Sequence, residues 1–253
     1  MFQKNLDFLT PAQAEKIRHT KVAVIGAGAL GQMAAHELVR SGFEILRLID
    51  KDVVDGSNFN RQLYAANSTL NQRKVSVLKK GLMDIRPGAQ ISVHCDFLNG
   101  TNGKDLVEGA DILLDCVDDI PTKLYLENLA EELGIPMVHG AVEGWHGQVT
   151  VIYPGDSVLP VLYQTKKAQK VSALVTTVNV IASLQVNEVI KIAIENKNIL
   201  RHRVLFADLW NGDFSYIPFG DTGMDRKAVK NEQTGLKGGE GCQQNMEDIW
   251  ERS

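Results

Sequence analysis

Cysteine is scarce and scattered in this chain. Cys95, Cys116 and Cys242 are the only three, and no Cys-x-x-Cys pair occurs. An odd, widely spaced set writes neither a disulfide framework nor a thiolate zinc site. A surplus of one charge is also missing: 27 Lys and Arg stand against 31 Asp and Glu, for a formal charge of −4. With both signs interspersed, no strong field favours nucleic acid or an anionic membrane. No apolar run reaches the ~20 residues of a membrane span. The first residues lack the basic-then-apolar order of a secretory signal. No internal repeat is visible. These absences predict a cytoplasmic globular protein with no membrane or nucleic-acid partner. Its 253 residues suit one large domain, or one domain with an extension.

What the chain has is alternation. Residues 1–20 are short and polar, and Thr10-Pro11 starts a helix to about Arg18, with Thr at the N-cap. Lys21 to Ile25 reads as a buried strand, Ala29 to Arg40 as a helix stopped by Ser41-Gly42, and Glu44 to Asp50 as a second strand. A helix over Asn71 to Ile85 and a strand over Ile91 to Cys95 follow, then a short helix over Lys104 to Glu108. Asp111 to Val117 is a doubly covered strand, Pro121 to Leu133 a helix, and Met137 to His139 a further strand. This rhythm predicts an α/β, Rossmann-like, doubly wound and mostly parallel sheet.

Beyond residue 140 the rhythm changes. A glycine-rich turn leads to a strand over Gln148 to Tyr153, a loop over Pro154 to Lys170, and a long apolar helix over Leu174 to Ile194. Val204 to Leu209 and Phe214 to Ile217 read as strands joined by an Asn211-Gly212 hairpin, so antiparallel strands are added in the C-terminal part. From Gly220 polar residues and glycine dominate, which predicts a mobile tail with one helical turn around Trp250. The expected organisation is an arm at 1–20, one nucleotide-binding domain at 21–219 and a tail at 220–253.

Chemistry enters after the first strand. Gly26-x-Gly28-x-x-Gly31 lies between a strand and a helix, where glycines let backbone N–H groups approach phosphates. Asp50, ending the second strand, suits a ribose. That pair alone reads as a nicotinamide or flavin enzyme. The residues that follow do not: Asp52, Asn58, Arg61, Gln62 and Lys74 place polar and cationic groups just past the turn. Arg61 offers a planar fork and Lys74 a point charge for triphosphate oxygens. Asp118 follows the fourth strand, at the sheet's ligand-binding edge, where a carboxylate beside phosphates holds Mg²⁺. Singly, each has a plainer reading: a solvated surface charge for Arg61 or Lys74, a cap for the next helix for Asp118.

Taken together, Gly26-x-Gly28-x-x-Gly31, Asp50-x-Asp52, Ser57-Asn58-x-x-Arg61-Gln62, Lys74 and Asp115-Cys116-Val117-Asp118 resemble the ThiF/MoeB/HesA family. So do Gly140-Ala141 with Gly147-Gln148-Val149, and Ile181-x-Ser183-Leu184-Gln185 with Glu188 and Lys191. The resemblance covers roughly residues 4–220 and implies an adenylyltransferase related to ubiquitin-activating enzymes. Such a protein binds ATP·Mg²⁺ and activates the Gly-Gly C-terminus of a small ubiquitin-like sulfur-carrier protein as an acyl-adenylate. By that resemblance Asp50 holds ribose, Asn58, Arg61 and Lys74 hold phosphates, and Asp118 holds Mg²⁺. It also implies a homodimer in which an N-terminal arginine of one subunit reaches the other's ATP.

This sequence departs from the pattern in places. Lys4-Asn5 stands where the arginine would be, and Lys supplies charge without a fork. Val158-Leu159-Pro160-Val161 occupies the place of a zinc-binding cysteine pair, so no zinc is expected. No cysteine lies between Pro154 and Leu174, where some relatives form a thioester. Cys242 reads as an incidental thiol rather than a swinging nucleophile, and Cys116 as packing. His139 and His146 flank a glycine turn and read as core or turn histidines before site residues. Lys166, Lys167 and Lys170 could receive an acidic carrier or be a solvated loop. Competing readings are a non-catalytic ThiF-like scaffold that binds a partner, a nicotinamide oxidoreductase, and adenylation of a tRNA-linked small molecule.

Overall fold

Short β-branched runs pair into one sheet. In this computed structural model, which describes residues 8–164 and 172–219, five strands run parallel: β1 (Lys21–Ile25), β2 (Ile45–Ile49), β3 (Gln90–His94), β4 (Ile112–Asp115) and β5 (Met137–Glu143). Three more, β6 (His146–Ile152), β7 (Arg203–Asp208) and β8 (Asp213–Pro218), add antiparallel. The order is β3-β2-β1-β4-β5-β6-β7-β8. The mixed α/β sheet expected from the sequence is therefore present. Lys4, Lys166, Lys167, Lys170, Cys242 and the turn around Trp250 lie outside the described residues.

Alternate strand residues face a single core. Val22, Val24, Leu46, Leu48, Ile112, Leu114, Val138, Val149 and Val151 pack with three helices: α2 (Ala29–Ser41), α3 (Lys74–Ile85) and α7 (Val175–Ala193). The preceding helix, α1 (Pro11–His19), begins in a capping box between Thr10 and Gln13 and buries Ile17. Two helices, α4 (Gly103–Val107) and α5 (Ile120–Leu133), touch each other, and α5 packs on β4 and β5. No described helix is long and apolar enough to cross a membrane.

Three boundaries differ from the sequence expectation. First, α3 begins at Lys74, not Asn71. Val54 exchanges backbone hydrogen bonds with Asn71 and Gln72, and the Lys74 N–H donates to the Asp52 carbonyl at 3.0 Å. Residues 71–73 are thus tied to 52–54 instead of turning into the helix: Arg73 bridges Val53, and Asn71 holds a left-handed turn. Second, the expected glycine-rich turn is a β5–β6 hairpin tightened to Gly144-Trp145. Gly140 and Gly147 lie inside the paired strands, where α7 presses on them. A Cβ there would meet Gln185 Cδ at 2.3 Å or Ile181 Cγ1 at 2.2 Å. Third, the expected loop after Pro154 contains one helical turn, α6 (Leu159–Leu162). The buried Glu127 carboxylate on α5 accepts the N–H groups of Val158 and Leu159 and starts that turn.

Just upstream, the bend after β6 is fastened by Asp156. It accepts the Tyr153 N–H at 2.8 Å and a two-nitrogen contact from Arg201 at 2.9–3.3 Å. Burial pushes the Asp156 carboxyl up, but Arg201 and the Tyr153 N–H together hold it below its ordinary 3.8. A depressed carboxyl adds stability above its unfolded value and loses it as pH falls through the folded one. Asp156→Asn is therefore expected to cost about 1 kcal/mol at neutral pH, kept small by screening at the part-exposed Arg201. Urea midpoints taken from pH 7 downward should show this deficit shrinking below 3.8.

Candidate functional site

The strand order reverses at β1. From there the chain winds outward through β2 and β3, then returns to place β4 on β1's other side. The carboxyl ends of β1 and β4 thus frame the crevice where open α/β sheets take ligands. The loop leaving β1 carries Gly26, Gly28 and Gly31. A Cβ on Gly31 would sit 1.8 Å from the Gly26 carbonyl oxygen, and one on Gly26 would sit 2.7 Å from the Cys116 carbonyl oxygen. These two glycines let three backbones touch. Gly28 is different: it is the N-cap of α2, and a Cβ there would meet nothing within 4 Å. The open space above it faces the unpaired N–H groups of a helix start, a ready anion cradle.

Asp50 ties this turn to the next layer. One carboxylate oxygen accepts the Ala27 N–H and the other the Asp52 N–H, both at 2.7 Å. Each oxygen keeps a lone pair for a further donor such as a ribose hydroxyl. Asp52 in turn accepts from Lys74 Nζ at 3.1 Å. Lys74 is buried although it opens α3, while Asp52 is half exposed.

A second tie runs through Gln32, fully buried on α2. It donates to the Ala27 carbonyl at 3.0 Å and to Gln62 at 3.3 Å, and accepts the Tyr64 N–H. Asn58 is also buried and caps its own turn by accepting the Asp55 N–H. Gln62 and Asn58 thus shape the loop that carries Arg61. Arg61 spends Nη1 on the Ser57 carbonyl and on Asn60, leaving Nη2 and Nε without a partner among the described residues.

On the β4 side, the two adjacent aspartates divide their work. Asp119, not Asp118, caps α5 by accepting the Thr122 N–H at 2.9 Å. Asp118 is exposed and has no hydrogen bond or ion pair among the described residues. The plainer reading of Asp118 as a helix cap is therefore taken over by its neighbour. No group of three or more His, Cys, Asp or Glu able to hold a metal occurs among the described residues. Magnesium needs no such cage, since it keeps waters and binds through one or two carboxylates plus phosphates. Asp118 and the open cradle at Gly28 fit that mode.

Sequence reading missed what lies beneath. Asp115, at the end of β4 and fully buried, accepts from Lys123 Nζ on both oxygens at 3.1–3.2 Å, and from His139 Nδ1 at 2.7 Å. Lys123 also donates to the Gly140 carbonyl at 3.0 Å. His139 Nε2 faces the Tyr163 hydroxyl at 3.2 Å, which accepts from Gln148 at 2.8 Å. Burial opposes the Asp115 charge, yet Lys123 and His139 together hold its carboxyl below the ordinary range. Burial, then Lys123, push His139 down, so it is neutral near pH 7 and donates through Nδ1. His139 is thus a satisfied core histidine. The available signal was Lys123 and Glu127, one turn apart on the inward face of an amphipathic helix. Glu188 and Lys191 pair with each other, and Glu188 also accepts the Leu200 N–H, so both brace α7. Burial pushes the Cys116 thiol up, as befits a packing residue.

A doubly wound sheet with an open helix start at Gly28, a buried and a part-exposed cation, and an exposed carboxylate at its switch point defines an α/β protein with a candidate ligand crevice. The sequence narrows the class: residues 2–225 match the ThiF family model, and the chain belongs to the ThiF family. It is 30% identical over 213 residues to the adenylyltransferase and sulfurtransferase MOCS3 of Drosophila yakuba, covering 80% of this chain and 46% of that protein. The chain thus spans about half the length of the MOCS3 relatives it matches. It is 26% identical over 221 residues to the SAMP-activating enzyme E1 of Haloferax volcanii, covering 85% of this chain and 82% of that protein. Among solved structures, E. coli MccB with AMPCPP and MccA superposes with a TM-score of 0.72 at 17% identity, over 84% of this chain and 67% of that one. PaaA gives 0.71 at 18% identity, over 83% and 76%. These two likenesses are of fold.

Proposed function

We propose that this chain is an ATP·Mg²⁺-dependent adenylyltransferase that activates the C-terminal carboxylate of a small ubiquitin-like sulfur carrier, or of a peptide. The observation that carries the reading is Asp118: an exposed carboxylate with no partner among the described residues, just past the strand end that the glycine turn touches, where a Cβ on Gly28 would meet nothing within 4 Å. Names of relatives, an adenylyltransferase and an activating enzyme E1, favour the same class. Asp50 would hold ribose, while Asn58, Arg61 and Lys74 would hold phosphates, with Gly26, Gly28 and Gly31 shaping the cradle. Asp52 and Gln62 would act in support, Asp52 by orienting Lys74 and Gln62 by bracing the Arg61 loop. Asp118 would hold Mg²⁺, which supplies positive charge to neutralise the phosphates.

The chemistry follows from that placement. A carboxylate oxygen of the carrier attacks the α-phosphorus, and the bond from that phosphorus to the oxygen bridging to the β-phosphate breaks. Pyrophosphate leaves with the electron pair, and an acyl-adenylate forms. Arg61 and Lys74 stabilise the charge that develops on the departing oxygens, and no proton need move. We further propose a cytoplasmic homodimer, a carrier ending in Gly-Gly, a domain spanning 21–219 between an arm at 1–20 and a tail at 220–253, and Lys4 in the place of the family's arginine.

The test is exchange of labelled pyrophosphate into ATP, with and without a small carrier ending in Gly-Gly. Carrier-dependent exchange that requires Mg²⁺ is the expected outcome. ATP binding without exchange on any Gly-Gly carrier from the same genome would favour a scaffold. Binding of NAD with exclusion of ATP would return the oxidoreductase reading.

A further inference from the structure

The most deeply buried charges in the described chain touch none of the proposed phosphate ligands. Asp115, Lys123 and His139 lie under the floor of the crevice, at the ends of β4 and β5 and on α5. Lys123 commits all its donors: two bonds to Asp115 and one to the Gly140 carbonyl. A buried ion pair of this kind is weak evidence for stability, since apolar residues of the same volume often do as well. What it does locally is more telling. Asp115 Oδ1 also accepts the Val117 N–H at 3.1 Å, and Gln185 Nε2 on α7 holds the Asp115 carbonyl at 2.8 Å. The Cys116 N–H is fixed on the Ile25 carbonyl at 2.9 Å. Residues 115–117 are thus clamped, and the next residue is Asp118. Because Asp118 has no side-chain partner among the described residues, its direction is set by its backbone, held by that clamp on one side and by the Asp119 cap of α5 on the other.

We propose that Asp115, gripped by Lys123 and His139, is a positioning residue that aims the Asp118 carboxylate at the nucleotide's divalent cation. This rests on the nucleotide reading given above. Both carboxylate oxygens are needed: Oδ1 serves Lys123 and Val117, while Oδ2 serves Lys123 and His139. An amide has one acceptor oxygen and turns two donors toward donors, so Asp115→Asn releases either Lys123 and His139 or the turn. His139→Asn keeps an N–H near the place of Nδ1, whereas His139→Leu removes it.

The experiment titrates ATP by calorimetry into wild type, Asp115→Asn, His139→Leu and His139→Asn, first in EDTA and then over a Mg²⁺ series. Thermal melts in each condition check that the variants are folded. Because Lys123→Met and Asp115→Asn each leave one charge of the buried pair without its partner and put folding at risk, the histidine pair carries the test wherever Asp115→Asn does not fold. In Asp115→Asn and His139→Leu the Mg²⁺ concentration for half effect should rise about 10-fold or more, as for other residues that orient metal ligands. Affinity for ATP in EDTA should be unchanged, and His139→Asn should follow wild type. An unchanged Mg²⁺ midpoint in folded Asp115→Asn or His139→Leu overturns the proposal and leaves a purely structural cluster. Equal losses with and without Mg²⁺ overturn it as well, since a general collapse of the crevice would do that. If wild type itself bound ATP with no response to Mg²⁺, the metal assignment to Asp118 would fail, and this inference with it. No ATP binding at all would instead refute the nucleotide reading.

Discussion

Asp118→Asn is expected to lower pyrophosphate exchange by about 10³-fold, the scale seen when one charge-stabilising group is removed from an active site. The melting temperature should not fall. Asp118 makes no hydrogen bond or ion pair among the described residues, and Asn is its isostere, so only the formal charge offered to the cation changes. Its neighbour supplies the contrast. Asp119 caps α5, so Asp119→Ala should lower stability by about 1 kcal/mol while exchange by the folded protein persists. Measuring exchange and thermal unfolding on both variants separates the two roles. An Asp118→Asn protein that exchanged like wild type would remove Asp118 from the site. Loss of folding in the same variant would return it to the scaffold.

The β/α rhythm was legible because most strands are short apolar runs closed by glycine, proline or aspartate, and the long helices show an apolar stripe. Lys21–Ile25 and Ile45–Ile49 announce themselves in this way. What misled was packing at a distance. Gly140 and Gly147 read as a loop, because nothing local says that Ile181 and Gln185, some 35–45 positions later, will press on them. The start of α3 was misplaced for a similar reason: residues 71–73 have helical spacing, yet pair with 52–54. At the candidate site, the residues that stand out in the sequence are those with special backbone or charge, among them Gly26, Gly31, Asp50, Lys74 and Asp118. The inward charges were not. Lys123 looks like a solvated helix lysine until β4 and β5 close over it, and the adjacent aspartates are told apart only by which one reaches the Thr122 N–H.

Lys74 brings local preference and proposed function into open conflict. A lysine in the first turn of a helix faces the positive end of the macrodipole, a cost of a few tenths to about 1 kcal/mol. This one is also buried, with a single carboxylate partner that is itself half exposed. Nothing in the fold repays that arrangement, and sites that break local rules without structural gain are where function is expected. Lys74→Met keeps the length and apolar stem of the side chain and removes its charge. The melting temperature should hold or rise, because Asp52 is exposed enough to be solvated once alone. Nucleotide binding should fall, and exchange should drop by about 10²-fold or more, as for loss of a charge clamp on a transferring phosphoryl group. Lys74→Arg should recover little, since a planar fork does not fit a cleft that holds one point charge. Opposite movements of stability and exchange in Lys74→Met would place the ammonium on the nucleotide. A large loss of stability with exchange intact would make Lys74 a structural partner of Asp52 and leave Arg61 as the phosphate cation.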